Sequence, residues 1–246
     1  MWSKPHLLNA IADLLILAAA AALLVAGAVW LVRVPSLPVR HVVFTQELPH
    51  TPRAELEQVL PAALKGNFFS LDLEEVRGTL QRLPWVRKVE LRRVWPAGLE
   101  VNIEEHRPVA RWGEGRGELV NSFGEVFAAT APADEMAALP LLYGPSGTAP
   151  EVLKRYGEFV GSFRVLGQKP VQVTLSPRLA WQAKLENGMV VEMGREQPKS
   201  PVALRLQRFI GAFPETVGRR PVRPSVVDLR YPNGFAMRVA GEGKGK

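Results

Sequence analysis

Four histidines, His6, His41, His50 and His106, and a complete lack of cysteine bound the chemistry open to this chain. No two of the histidines stand at a spacing that lets them share a metal ion. Without cysteine there is no thiol catalysis, no thiolate zinc site and no iron–sulfur cluster. Glu104, Glu105 and His106 are consecutive at the end of a predicted strand, where neighbouring side chains point to opposite faces and do not converge. Ser122 and Ser225 lack the strand–turn–helix setting that presents a nucleophilic serine. Gly113-Glu114-Gly115-Arg116-Gly117 has the glycine density of a phosphate loop but neither its lysine nor its strand–loop–helix context, and reads as an inter-strand loop. The residues therefore assign no catalytic, cofactor or metal site, and the chain is expected not to be an enzyme.

The elements that carry these residues begin with a hydrophobic run. No charge interrupts the sequence between Asp13 and Arg33, so Leu14–Val32 predicts a helix about 28 Å long, close to the hydrocarbon thickness of a bilayer. Trp30 stands near one end, where an indole sits among headgroups. Arg33 stops the run, and Pro35 and Pro38 break any helical continuation. Ala26-Gly27-Ala28 and Lys4 offer the rival reading of a cleaved signal peptide. The apolar run continues through Val29–Val32 past that point, which favours an uncleaved anchor. Lys4 and the α-amine on one side nearly balance Arg33 and Arg40 on the other, so charge bias alone does not orient the helix.

Of the 246 residues 47% are hydrophobic, enough to build a real core behind this anchor, and the formal charge is +7. That charge favours anionic neighbours without naming one. Val39–Thr45 reads as a strand. Thr51-Pro52 opens a helix with a hydroxyl N-cap and proline at the first position, carrying Leu56, Val59 and Leu60. Phe68-Phe69-Ser70-Leu71-Asp72 leads into a second helix with Leu73, Val76, Leu80 and Leu83, which Pro84 ends. Trp85–Val94 and Leu99–His106 alternate as a hairpin around Trp95-Pro96-Ala97-Gly98. Its register places Arg92 opposite Glu100 and Lys88 opposite Glu104. The basic run Arg87–Arg93 is thus neutralised by its neighbour, and no aromatics interleave with it, so nucleic-acid binding is not expected.

After Trp112 the pattern changes to short strands and turns. Leu119–Phe127 reads as strand, turn, strand, and Leu139–Pro145 follows a loop of small residues. Pro150–Leu166 is an amphipathic helix with Val152, Tyr156, Phe159, Val160 and Phe163 on one face. Val171–Leu175, Leu179–Leu185 and Met189–Met193 are strands, the last two joined at Asn187-Gly188. A helix over Pro201–Phe213 precedes a strand at Val226–Tyr231, the turn Pro232-Asn233-Gly234 and a last strand Phe235–Val239. That last strand reads as a sheet edge able to accept a partner strand.

Strand–helix–helix–strand–strand directly after an anchor resembles a POTRA domain. Leu83-Pro84-Trp85-Val86-Arg87-Lys88-Val89, Trp95-Pro96 and Glu105-His106-Arg107-Pro108-Val109-Ala110-Arg111-Trp112 are similar to the FtsQ/DivIB family of bacterial cell-division proteins. The Phe-Gly-Glu-Val-Phe turn, Leu-Pro-Leu-Leu-Tyr-Gly-Pro and Asp-Leu-Arg-Tyr followed by Asn-Gly-Phe extend the resemblance to about Val239. It departs from the family in a shorter, less basic N-terminal tail and an abrupt C-terminus. The resemblance implies an α+β fold: a single transmembrane helix, a POTRA domain (β-α-α-β-β), and a mixed β-rich domain with an antiparallel sheet and flanking helices. The expected divisions are a cytoplasmic tail at 1–12, the transmembrane helix at 13–34, the POTRA domain at 39–107, the β domain at 108–240 and a flexible tail at 241–246.

The same resemblance implies a divisome scaffold in the bacterial inner membrane at the division septum, with a cytoplasmic N-terminus and a periplasmic C-terminal domain. It implies binding of the periplasmic segments of FtsB and FtsL, contact with other divisome membrane proteins through the POTRA domain, and no cofactor. Matched position by position, its partner-contact hairpin falls on Arg230, Tyr231, Asn233, Gly234 and Phe235, with Arg178 and Trp181 on a second contact strand. Tyr231 is expected to act as an aromatic anchor and Arg230 to pair with an acidic partner segment. A membrane-anchored chaperone or secretion module is the alternative, distinguished by broad affinity for unrelated extended peptides.

Overall fold

The computed structural model describes residues 5–33, 38–113, 117–218, 224–231 and 233–239. Lys4, Pro35, the Glu114–Arg116 part of the glycine-rich loop, Pro232 of the last turn and the tail at 241–246 lie outside them.

Helix α1 spans Pro5–Arg33, starting ahead of the Asp13 boundary read from the sequence. Proline is tolerated in a first helical turn because its missing N–H has no partner there anyway, so the helix begins before the apolar run does. Within it Leu8–Trp30 is long and apolar enough to cross a membrane, at about 34 Å by its rise per residue. Its described side chains pack against nothing in the protein.

The chain divides into two compact units between Glu105 and His106. In the first, β1 (His41–Phe44), α2 (Arg53–Ala63), α3 (Leu73–Leu80), β2 (Val86–Val94) and β3 (Gly98–Glu105) follow α1 in order. The sheet order is β1-β3-β2, with β1 parallel and β2 antiparallel to the central strand. Leu56, Leu60, Val76 and Leu80 of the helices bury against Val89, Leu99, Val101 and Ile103 of the sheet. This is the POTRA arrangement.

Two local expectations change. Pro52, not Thr51, is the N-cap of α2 and makes no side-chain hydrogen bond, while the buried Thr51 hydroxyl finds no partner among the described residues. Helix α3 ends at Leu80, and Gln81–Leu83 close it with tighter turns in which Arg82 N and Leu83 N donate three residues back. At its other end the Asp72 carboxylate accepts from the backbone of Glu74 and Glu75.

The second unit holds a nine-stranded sheet in the order β12-β11-β10-β9-β8-β7-β4-β5-β6. Its strands are β4 (Pro108–Trp112), β5 (Glu118–Asn121), β6 (Val126–Ala128), β7 (Leu141–Tyr143), β8 (Pro170–Leu175), β9 (Ala180–Leu185), β10 (Val190–Arg195), β11 (Pro224–Asp228) and β12 (Ala236–Val239). The sheet is mixed: β7 pairs in parallel with β4 and β8, and β10 with β11. The intervening helices explain this, since parallel neighbours need a crossover. Helix α5 (Ala149–Phe163) connects β7 to β8, and α6 (Val202–Thr216) connects β10 to β11. The supposed small-residue loop contains a short helix, α4 (Ala133–Ala138), that buries nothing. Val152, Phe159 and Phe163 of α5 and Val202, Leu206 and Phe209 of α6 close the core over Val173, Leu175, Ala183, Val191 and Met193.

Candidate partner-binding site

Two of the four histidines, His50 and His106, are held in structural contacts. His50 stacks on Trp85 with ring centroids 4.1 Å apart, and its backbone N–H donates to Glu105 Oε2 at 3.3 Å. His106 stacks on Phe127 at 4.1 Å, with Asn121 Nδ2 2.9 Å from its Nδ1. Glu104 is taken by Arg87 at 2.9 Å. Among the described residues no three His, Asp or Glu side chains gather as a metal site would require.

A different cluster stands at the β12 end of the large sheet. Strand β10 carries an irregularity between Glu192 and Gly194, where Gly194 takes φ +73°. The missing side chain matters: a Cβ there would lie 2.9 Å from Arg230 Cγ and 3.2 Å from Arg205 Nη1. The glycine thus lets two arginines close over the strand. Parallel pairing sets Glu192 beside Asp228, and the Leu229 N–H continues the ladder to the Glu192 carbonyl at 2.8 Å. Arg230, immediately after, turns its guanidinium back onto both acids. Its Nε donates to Asp228 Oδ1 at 2.8 Å, its Nη2 donates to Asp228 Oδ2 at 2.6 Å, and Nη2 lies 3.2 Å from Glu192 Oε2. The hydrogen bonds from Arg230 hold the Asp228 carboxyl below its ordinary range, and Asp228 in turn raises Arg230.

Beside this pair lies a cleft of about 460 Å³ whose walls include Arg178, Arg195, Arg205 and Arg230, with Gly194 and Gln197. Arg205 comes from α6 and is only 3% exposed. Its Nη2 donates to the Arg195 carbonyl, while its buried Nε has no acceptor among the described residues. Burial pulls the Arg205 pKa down, though a guanidinium stays charged. Four arginines line the cleft, and of these Arg230 is paired with Asp228 and Glu192, so the cleft is rich in cationic groups and suited to a carboxylate held by a forked donor.

The residues singled out in the sequence divide here. Arg178, exposed on the turn between β8 and β9, and Arg230, after β11, line the same cleft. Tyr231 is 54% exposed and Asn233 is exposed beside it. Gly234 and Phe235 are half-buried, and Phe235 packs edge-on to Phe209 with centroids 5.3 Å apart. Trp181 stands apart from these. It is 3% exposed, edge-on to Phe159 at 6.1 Å and under the Arg155 guanidinium at 5.3 Å, so its indole is core and does not reach the surface. Strand alternation explains the split, since Trp181 and Ala183 point inward. Arg195 and Arg205 were not legible as site residues, because only the β9–β10–β11 order brings them to Arg178 and Arg230.

Comparison with known sequences agrees with this architecture. The family described as "POTRA domain, FtsQ-type" matches residues 37–106, and "Cell division protein FtsQ/DivIB, C-terminal" matches 110–230. The chain is 40% identical to a cell division protein FtsQ of Burkholderia pseudomallei, over 98% of this chain and 95% of the relative. It is 38% identical to one of Nitrosospira multiformis, over 97% and 99% of the two chains. A Neisseria gonorrhoeae relative of the same name is 31% identical over 99% of this chain and 97% of its own. With this identity along nearly the full length, and with both parts matched in order, the chain belongs to the FtsQ/DivIB family of cell-division proteins.

Proposed function

We infer that the chain is a non-enzymatic scaffold of the division machinery, held in the inner membrane by α1 with both folded units on the periplasmic side at the septum. It binds the periplasmic segments of FtsB and FtsL and thereby takes part in controlling septum formation. The observation that carries this reading is the meeting of Arg178 and Arg230 in one cationic cleft next to β12, the last strand of the described sheet. A partner strand pairing with the open edge of β12 gains backbone hydrogen bonds, and an acidic side chain entering the cleft fixes its register. Tyr231, 54% exposed between β11 and β12, offers its ring as an aromatic anchor. Trp181 supports this surface from beneath, as core. Other divisome members are bound through the POTRA unit.

The test is titration of the full chain in lipid nanodiscs with the periplasmic segments of the cognate FtsB and FtsL. Tyr231→Ala and Arg178→Glu are the probes, since both side chains are exposed and their loss leaves the core intact. Tight wild-type binding that both variants lose supports the site. Equal binding by all three moves the site elsewhere. Binding of unrelated extended peptides with equal affinity favours the chaperone reading, for which the open edges β1 and β2 of the POTRA sheet give an alternative receptor.

A further inference from the structure

The POTRA unit has two poles, and the chain enters at one and leaves at the other. At the entry pole Arg40 N donates to the Ala97 carbonyl at 2.8 Å, which joins the start of β1 to the β2–β3 turn. The α2–α3 loop is held at the same pole. Arg93 donates from Nε to the Phe68 carbonyl at 2.9 Å and from Nη2 to the Leu71 carbonyl at 2.6 Å. The buried Asn67 side chain braces that loop by accepting from Phe69 N and Ser70 N. The exit pole, at the far end of β3, carries the residues around Glu47 and Arg82.

Exposed apolar surface is divided unequally between the poles. Among the described residues 38–105 four large hydrophobic side chains are exposed: Val43, Phe69, Val94 and Trp95. Trp95, at 72%, and Phe69, at 40%, gather with Phe68 around the entry pole, with Trp95 6.0 Å from Phe68 and 6.4 Å from Phe69. Val43, Val94 and Trp95 also line one shallow cleft of about 600 Å³ with Arg40. At the exit pole the corresponding aromatic, Trp85, is buried under His50. Leaving a tryptophan in water on a rigid, hydrogen-bonded platform forgoes its burial energy unless something covers it.

The chain length identifies the cover. Only seven residues, 34–40, separate the end of α1 from β1. Fully extended they reach about 25 Å, so the entry pole stays within that distance of the bilayer in which α1 ends. Exposed indole and phenyl rings, with Arg40 in the same cleft as Trp95 and with exposed Arg92 and Lys65 three and four residues from Trp95 and Phe69 along the chain, have the chemistry of a membrane interface, where amphipathic rings sit among headgroups and cations meet phosphates. We propose that the entry pole of the POTRA unit is a membrane-contact surface, with Trp95 and Phe69 inserted at the headgroup level of the bilayer that holds α1. The proposal rests on α1 spanning that bilayer. Glu75 pairs with Lys65 at 3.0 Å and Glu100 lies across the sheet from Arg92, so the contact is chiefly apolar and does not require anionic lipid.

The natural absence of cysteine permits a direct test. The full chain is reconstituted in phosphatidylcholine vesicles containing lipids spin-labelled near the headgroup, or, for the label in the middle of α1, near the end of the acyl chain. An environment-sensitive fluorophore is placed on Ala97→Cys at the entry pole, on Glu47→Cys at the exit pole, or on Ala21→Cys in α1. The label at position 97 is expected to be quenched several-fold more than that at 47, and to fall to the level of 47 when Trp95→Glu or Phe69→Glu is added. Equal quenching at 97 and 47, or quenching at 97 that neither substitution changes, overturns the proposal while a quenched label at 21 leaves the anchor standing. If the label at 21 is not quenched, the anchor reading fails and the contact surface fails with it.

Discussion

Arg230 and Asp228, two residues apart, form a two-pronged ion pair, with Nε 2.8 Å from Oδ1 and Nη2 2.6 Å from Oδ2. The pair closes the end of β11 and fixes the guanidinium against the cleft wall. Because Arg230 depresses the folded-state pKa of Asp228 below 3.8, the stabilisation is complete above that value and is lost as pH falls through the lower, folded value. The difference in thermal midpoint between wild type and Asp228→Asn is expected to be constant from about pH 7 to about pH 5 and to close in stronger acid. A difference that shrinks already near neutrality would assign the effect to another group.

Gly194 lies at φ +73° under Arg230 and Arg205, whereas Gly188 has φ +84° with open space around it. Alanine at either position meets the left-handed backbone cost of about 1–2 kcal/mol. Only Gly194→Ala must also displace the arginines, so it is expected to lower urea stability more than Gly188→Ala and to weaken partner binding. Equal losses would mean that the arginines move aside freely.

Phe209 is fully buried and meets Phe213 and Phe235 edge-on, at 5.6 Å and 5.3 Å. Phe209→Ala is expected to cost about 3–5 kcal/mol in denaturant unfolding. Phe235→Ala should cost less, because that side chain is only partly buried. Phe235 couples the edge hairpin to the core, so binding lost in its variants has to be read beside their stability.

Arg93 donates to two carbonyls of the α2–α3 loop. Its replacement by alanine removes two charge-assisted hydrogen bonds and is expected to cost about 2 kcal/mol, with faster amide exchange confined largely to residues 67–72. Exchange that rises evenly across the POTRA unit would show that the arginine supports the whole core.

Much of this architecture could be read from local pattern. Alternation in residues 86–105 predicts the register found, with Arg92 opposite Glu100 and Lys88 opposite Glu104. It does not predict the ion pairs. The irregularity between Val86 and Lys88 turns Arg87 to Glu104, and Lys88 takes Glu90 on its own strand at 2.7 Å. Helix α4 escapes a periodicity argument because six residues that bury nothing have no apolar face. Resemblance alone puts Trp181 at a contact strand and does not say which face of β9 its indole takes. Of the four cleft arginines only Arg178 and Arg230 could be singled out beforehand, since long-range parallel pairing at β10–β11 sets the proximity of the others.

The entry and exit of the chain at opposite ends of the parallel β1–β3 pair have a mechanical consequence. Tension between an anchor before β1 and a bound partner beyond β3 pulls the two strands along their length in opposite directions. The ladder from His41↔Gly98 to Phe44↔Val101 then bears the load in shear, all its rungs together, rather than peeling open one rung at a time. The small POTRA sheet is thus strung to carry force in line.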